Sequence, residues 1–104
     1  MAATYAGIQV TLTNADEKYR LLDLLQAVDP SITDAVFDLG IQAASTNSAS
    51  VLVGDGLVSA TRFAYSLSSG DARSYSRPAR TFPLGSLYVR SSSAGQKLNV
   101  EVAN

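Results

Sequence analysis

The sequence predicts a mostly β protein: an antiparallel β-sandwich or jelly-roll-like barrel of about seven strands with one N-terminal α-helix, in a single domain over residues 1–104. Three observations predict it. Short segments in which apolar and polar residues alternate, the period of a strand with one buried face, recur along most of the chain. Small polar and glycine-bearing runs separate these segments, as turns separate strands. One stretch alone carries apolar residues at helical spacing, and a single helix is too few to cross over between the parallel strands of a βαβ fold.

Taken in order, Ile8, Val10 and Leu12 alternate with Gln9, Thr11 and Thr13 to give the first strand. Asn14 followed by Glu17 reads as a capping-box variant. Leu21, Leu22, Leu24, Leu25 and Val28 then share one face of a 3.6-residue period, which predicts a helix over about residues 15–28. Asp29-Pro30 should end it, because proline lacks a backbone donor and disfavours helical geometry in the residue before it. Such a helix would cover an open end of the sandwich or a sheet edge, removing backbone groups that invite stray pairing.

From there the pattern is β. Phe37, Leu39, Ile41 and Ala43 alternate, and Ser45-Thr46-Asn47-Ser48 reads as a turn. Val51 and Val53 lead into Gly54-Asp55-Gly56, where glycine permits positive φ and aspartate bonds locally, so a hairpin with a tight reversal is expected. Phe63, Tyr65 and Leu67 alternate up to Ser69-Gly70-Asp71, and Arg73, Tyr75 and Arg77 hold alternate positions in the next strand. Pro78 and Pro83 bracket an exposed loop. Leu87 with Val89, then Leu98, Val100 and Val102, supply two last strands joined across residues 91–95.

Composition limits the function. With 46% hydrophobic and 16% charged residues the chain is neither disordered nor strongly charged. It has no cysteine, which excludes a disulfide framework, thiolate catalysis and cysteine-based zinc sites. It has no histidine, so the usual general base near neutral pH and the commonest transition-metal ligand are missing. No run approaches the about 18 consecutive apolar residues of a membrane-spanning helix, and Met1-Ala2-Ala3-Thr4-Tyr5 lacks the opening of a secretory signal. A soluble product is expected.

Residues 1–60 carry seven acids against two bases, and residues 61–104 six bases against two acids. Halves of opposite sign could dock neighbouring copies by charge if they fold onto different faces, whereas interleaved strands would cancel the asymmetry.

Motifs for chemistry are few. None of the fourteen serines sits in a nucleophile elbow, and a serine–lysine pair would have to use Lys18 or Lys97 without a recognisable motif. Asp23, Asp29, Asp34 and Asp38 straddle a predicted helix end and a loop and read as solvated carboxylates. Gly54-Asp55-Gly56 lacks the other ligands of a calcium loop and the strand-to-helix setting of a phosphate cradle. No catalytic residue, cofactor or metal site emerges. Arg73, Tyr75, Arg77 and Arg80 could contact nucleic acid, but a net charge of −1 and scarce lysine favour a protein interface. The interface candidates are Arg73, Tyr75, Arg77, Arg80, Phe82, Tyr88 and Arg90, set against the simpler reading in which Phe82 and Leu84 close the core and the arginines face water.

Four pieces carry a resemblance: Val51-Leu52-Val53-Gly54-Asp55-Gly56-Leu57-Val58-Ser59-Ala60, Leu67-Ser68-Ser69-Gly70, Leu87-Tyr88-Val89-Arg90-Ser91 and Ala94-Gly95-Gln96-Lys97-Leu98. Over its C-terminal two-thirds the chain resembles the small β-sandwich accessory virion proteins of tailed bacteriophages. The resemblance implies a structural, non-enzymatic role on the particle, chiefly as a decoration or cement protein of the head. Its expected partners are the major capsid protein and copies of itself, with a trimer suited to a threefold junction, and its expected place is the capsid surface after a soluble stage in the host cytoplasm. The alternative is a tail-tip, fibre or baseplate component that binds a host-surface receptor. A carbohydrate-active or other enzyme ranks third, for want of an acid–base pair.

Overall fold

The computed structural model describes residues 5–33, 35–36, 38–76 and 82–103. Its elements are β1 (Tyr5–Leu12), β2 (Tyr19–Arg20), α1 (Leu21–Gln26), β3 (Ala35–Val36), β4 (Asp38–Ala43), β5 (Val51–Gly54), β6 (Tyr65–Leu67), β7 (Ala72–Ser76), β8 (Phe82–Pro83), β9 (Tyr88–Ser91) and β10 (Gln96–Ala103), with a 3-10 turn at Leu84–Ser86. One antiparallel sheet has the order β1-β10-β4-β7, a second β2-β9-β5-β6, and β3 pairs with β8. The mostly β fold with a short N-terminal helix is thus present, and two open sheets make it the sandwich rather than the barrel.

Alternation explains the layering. On β10, Gln96, Leu98, Val100 and Val102 are buried while Lys97, Asn99 and Glu101 are exposed. Its partners repeat the pattern: Leu98 lies opposite Val10 and Ala43, and Val100 opposite Ile8 and Ile41. The second sheet answers with Val51, Val53 and Val89. These side chains and Leu12, Leu39, Ile41 and Leu98 form one fully buried core, each worth about 1.5–3 kcal/mol of apolar burial.

The helix is shorter than its apolar spacing predicts, six residues rather than about fourteen. The reason lies in its first turn. Asn14 and Glu17 do not cap a helix; the Asn14 amide side chain and the Tyr19 hydroxyl both donate to the Glu17 carboxylate, and the Tyr19 oxygen accepts the Asn14 N–H. These bonds, Asn14 first, hold the Glu17 carboxyl below its ordinary pKa. Tyr19 and Arg20 are extended and pair with Val89 and Tyr88, so helix begins only at Leu21. It ends before Asp29-Pro30, where the N–H groups of Val28 and Asp29 both donate to the Leu25 carbonyl. Leu21 and Leu25 enter the core, and α1 packs beside β1, β2 and the 3-10 turn. The helix therefore covers the side where two edge strands meet.

Two ion pairs, Asp55–Arg62 and Asp16–Arg90, join an acid of residues 1–60 to a base of residues 61–104. With β1 on β10 and β9 between β2 and β5, the oppositely charged halves interleave. The bracketed segment also gains order at its end: Phe82 and Pro83 pair with Val36 and Ala35, where an exposed loop is expected. Pro78 and Phe37 lie outside the described residues.

At one end of the sandwich two inward positions are polar. Gln96 is buried, its Oε1 accepting the N–H groups of Ser48 and Ala49 and its Nε2 donating to Ser48 Oγ and the Ala94 carbonyl. Ser91, also buried, donates to the Ser50 carbonyl. Asn47 and Lys97 exchange two further bonds. Gly70 (φ 85°) and Gly95 (φ 76°) turn the chain here in the left-handed region that a side chain resists.

Candidate functional site

The opposite end of β5 carries a different loop. β5 and β6 form the expected hairpin, but the connection is residues 55–64 rather than a tight reversal, and neither Gly54 nor Gly56 has positive φ. Asp55 organises it. Its Oδ1 accepts the Leu57 N–H at 2.9 Å, and its carboxylate meets Arg62 through Nη2 at 2.8 Å and Nε at 3.4 Å. The Val58 N–H returns to the Asp55 carbonyl, and Ser59 and Arg62 exchange reciprocal backbone bonds. The Arg62 bond, then the Leu57 N–H, holds the Asp55 carboxyl below its ordinary pKa. Val58 is buried against Gly54, where an added Cβ would stand 3.2 Å from Val58 Cγ2. Gly54 is thus required for room, not for its backbone freedom.

With Val58 turned inward, Leu57 and Phe63 face solvent, 66% and 43% exposed. Beside them opens a cleft of about 400 Å³ lined by Phe63, Tyr65, Tyr75, Leu87 and the Asp55–Arg62 pair. Tyr65 and Tyr75 sit on β6 and β7, which are edge strands of different sheets. Their rings lie 6.3 Å apart and their hydroxyls hydrogen-bond, closing the side of the sandwich opposite α1. Arg73 stacks its guanidinium 4.2 Å from the Tyr65 ring centroid. Burial raises the Tyr75 hydroxyl pKa.

The interface candidates fall into two places. Arg73 and Tyr75 belong to the aromatic cluster at the β6–β7 side. Tyr88 and Arg90 lie on the outward face of β9: Lys18 Nζ stands 5.8 Å from the Tyr88 ring centroid and donates to the Gly56 carbonyl, and Arg90 Nη2 meets Asp16 Oδ1 at 2.8 Å. Asp16 holds this bond from a left-handed backbone (φ 58°), with its N–H on the Ser91 carbonyl. Arg77 and Arg80 lie outside the described residues, as does the side chain of Phe82. Of the four aspartates read as solvated, Asp23 pairs with Arg20, Asp29 accepts two bonds from Ser31, Asp38 is exposed, and Asp34 lies outside the described residues. Among the described residues no group of three acids could hold a metal ion, and no helix is long and apolar enough to cross a membrane.

Leu57, Arg62 and the exposure of Phe63 escaped the sequence. Phe63 continues an apolar alternation with Tyr65 and Leu67, yet the strand starts two residues later. The one available signal was Leu57, an apolar residue inside a turn-forming run. Comparison with protein-family models, with curated proteins and with solved structures finds no match to this chain.

Proposed function

We propose that the chain is a structural attachment module of a virus particle, a decoration or cement subunit seated on the major capsid protein of a tailed-phage head through its loop end. One observation carries the attachment face: Leu57 and Phe63 are held in the open by a loop that the Asp55–Arg62 pair and backbone bonds fix in one shape. Exposed apolar side chains on a preorganised loop lose little entropy on docking and bury area that water otherwise covers. The virion setting rests on the resemblance of the strand and turn segments. Copies bound at repeated sites, as trimers at threefold junctions, would let weak individual contacts act together.

The test is rebinding. Source particles stripped of the chain are incubated with the purified protein or with a Leu57→Ser/Phe63→Ser variant, then labelled with antibody for electron microscopy. The expected result is dense label over the head for the natural sequence and none for the variant, whose far-UV circular dichroism is unchanged. Equal labelling by the variant overturns the attachment face, and label on neither head nor tail overturns the virion setting. Label confined to the tail selects the alternative, a tail-tip, fibre or baseplate component in which the same loop end meets a host-surface receptor.

A further inference from the structure

We propose that two copies of this chain join along β1, by antiparallel strand pairing about a twofold axis that makes one continuous sheet of the β1-β10-β4-β7 sheets of both. The backbone of β10 decides which groups of β1 are on offer. Lys97 spends both of its backbone groups on the β4 side, its carbonyl accepting the Ala44 N–H and its N–H donating to Asn47 Oδ1. Thr11 stands opposite Lys97, and facing residues of an antiparallel pair either bond each other or both turn away. Thr11 therefore turns away from β10, and by alternation so do Gln9, Gly7 and Tyr5. Leu12 turns toward it, its carbonyl accepting the Gly95 N–H at 2.8 Å. Among the described residues no hydrogen bond reaches the backbone groups of Gly7, Gln9 or Thr11, and all three residues are exposed.

The other edges of the two sheets are short or charged. β2 has two residues, one of them Arg20, β6 has three, and β7 carries Arg73. β1 runs for eight residues in one unbroken register with β10. It has no charged residue, no proline and no bulge, the devices that keep an edge from pairing. Nor does α1 stand in for a neighbouring strand. The helix fills the gap between the sheets with Leu21 and Leu25, and its first N–H donates to the Leu87 carbonyl rather than to β1.

The strand fits a second copy of itself. With Ile8 on the axis, Gly7 pairs with Gln9 of the second copy and Tyr5 with its Thr11, so every outward residue of both strands is bonded, through about eight backbone hydrogen bonds. Any other antiparallel register of β1 on itself leaves some of them unpaired. No like charges meet across the axis, because β1 has none. The inward row Ile41, Val100 and Ile8 ends on a half-buried isoleucine, and the pairing continues it into Ile8, Val100 and Ile41 of the second copy. Apolar surface is thus covered together with backbone. The contact is independent of the attachment reading, since the exposed loop belongs to the other sheet. On a particle it would tie together copies bound at neighbouring sites.

The experiment is analytical ultracentrifugation of the full chain over a range of concentrations, with substitutions in β1. The expected result is a reversible monomer–dimer equilibrium. Gln9→Pro removes an N–H that only the second copy would use and sets a ring in its place. It should weaken dimerisation by roughly tenfold or more and keep the far-UV circular dichroism, because proline is tolerated where an edge strand's N–H faces outward. Ile8→Cys gives a single thiol to a chain that has none, and the axis brings its Cα about 4.5 Å from its counterpart, within disulfide reach. Mild oxidation should link this variant into dimers and leave Thr11→Cys unlinked, since two Thr11 residues would lie about 20 Å apart. The cysteine variants read the register without relying on the fold of Gln9→Pro. Leu57→Ser/Phe63→Ser should dimerise at natural strength, so the two surfaces can fail separately. A monomer at every concentration, a trimer, natural-strength dimerisation by Gln9→Pro, or equal linking of Ile8→Cys and Thr11→Cys overturns the proposal.

Discussion

The two ends of β5 solve the same problem in different ways. At its start, residues 44–50 are tied down from within, because the inward positions Gln96 and Ser91 are polar and spend their hydrogen bonds on loop backbone. At its finish, the inward positions stay apolar and residues 55–64 are held by bonds within the loop itself. The first arrangement ties the loop backbone to two buried polar side chains. The second leaves the core closed by Val58 and frees Leu57 and Phe63 for the surface. One end of the sandwich is thus closed by polar side chains from within, and the other by an inward valine that leaves Leu57 and Phe63 exposed.

The comparison predicts an order of effects on stability. Gln96→Leu should be the most damaging, because two part-buried backbone N–H groups lose their buried acceptor: about 2–4 kcal/mol, read from urea unfolding. A loss below about 1 kcal/mol would mean that water replaces the side chain and that this end is not bound from within. Gly95→Ala should cost about 1–2 kcal/mol at the same end, since alanine resists the left-handed backbone. Leu57→Ser/Phe63→Ser should cost less than about 1 kcal/mol while abolishing attachment, and an unfolding midpoint displaced as far as that of Gln96→Leu would show the loop end to be core after all.

Acid should act on the loop end first. The Asp55 carboxyl has a lower pKa folded than unfolded, so its contribution is present above the ordinary aspartate range and lost as pH falls through the depressed folded value. Amide signals of Leu57 and Arg62 should therefore move on acidification below that range, before those of Ser48 and Ala49, whose acceptor is the uncharged Gln96 amide. Asp55→Asn should remove the difference.

The sequence made the strands legible wherever alternation ran long. Leu98, Val100 and Val102 announce β10, and Leu39, Ile41 and Ala43 announce β4, because one face of each meets only core. Short elements escaped for the complementary reason. Tyr19–Arg20 and Phe82–Pro83 are strands only because Tyr88–Val89 and Ala35–Val36 happen to lie alongside, and two residues cannot carry a period. The helix was overextended because Asn14 and Glu17 spell a cap whose bonds instead close on Tyr19. At the candidate site, Arg73 and Tyr75 were legible as an arginine–tyrosine alternation. The Asp55–Arg62 pair was not, because its seven-residue separation acquires meaning only when the loop folds back on itself.

The pairing of β1 with β10 also governs how the chain can be made. Tyr5 lies opposite Ala103, and β10 sits between β1 and β4, so the centre of that sheet is the last of its four strands to leave the ribosome. Until then β1 and β4 have no partner in common, and their buried faces wait in the open. Closing contacts this distant in sequence is slow, on the order of milliseconds to seconds. A chain interrupted before Gln96 lacks the strand that joins β1 to β4 and leaves the buried faces of both uncovered.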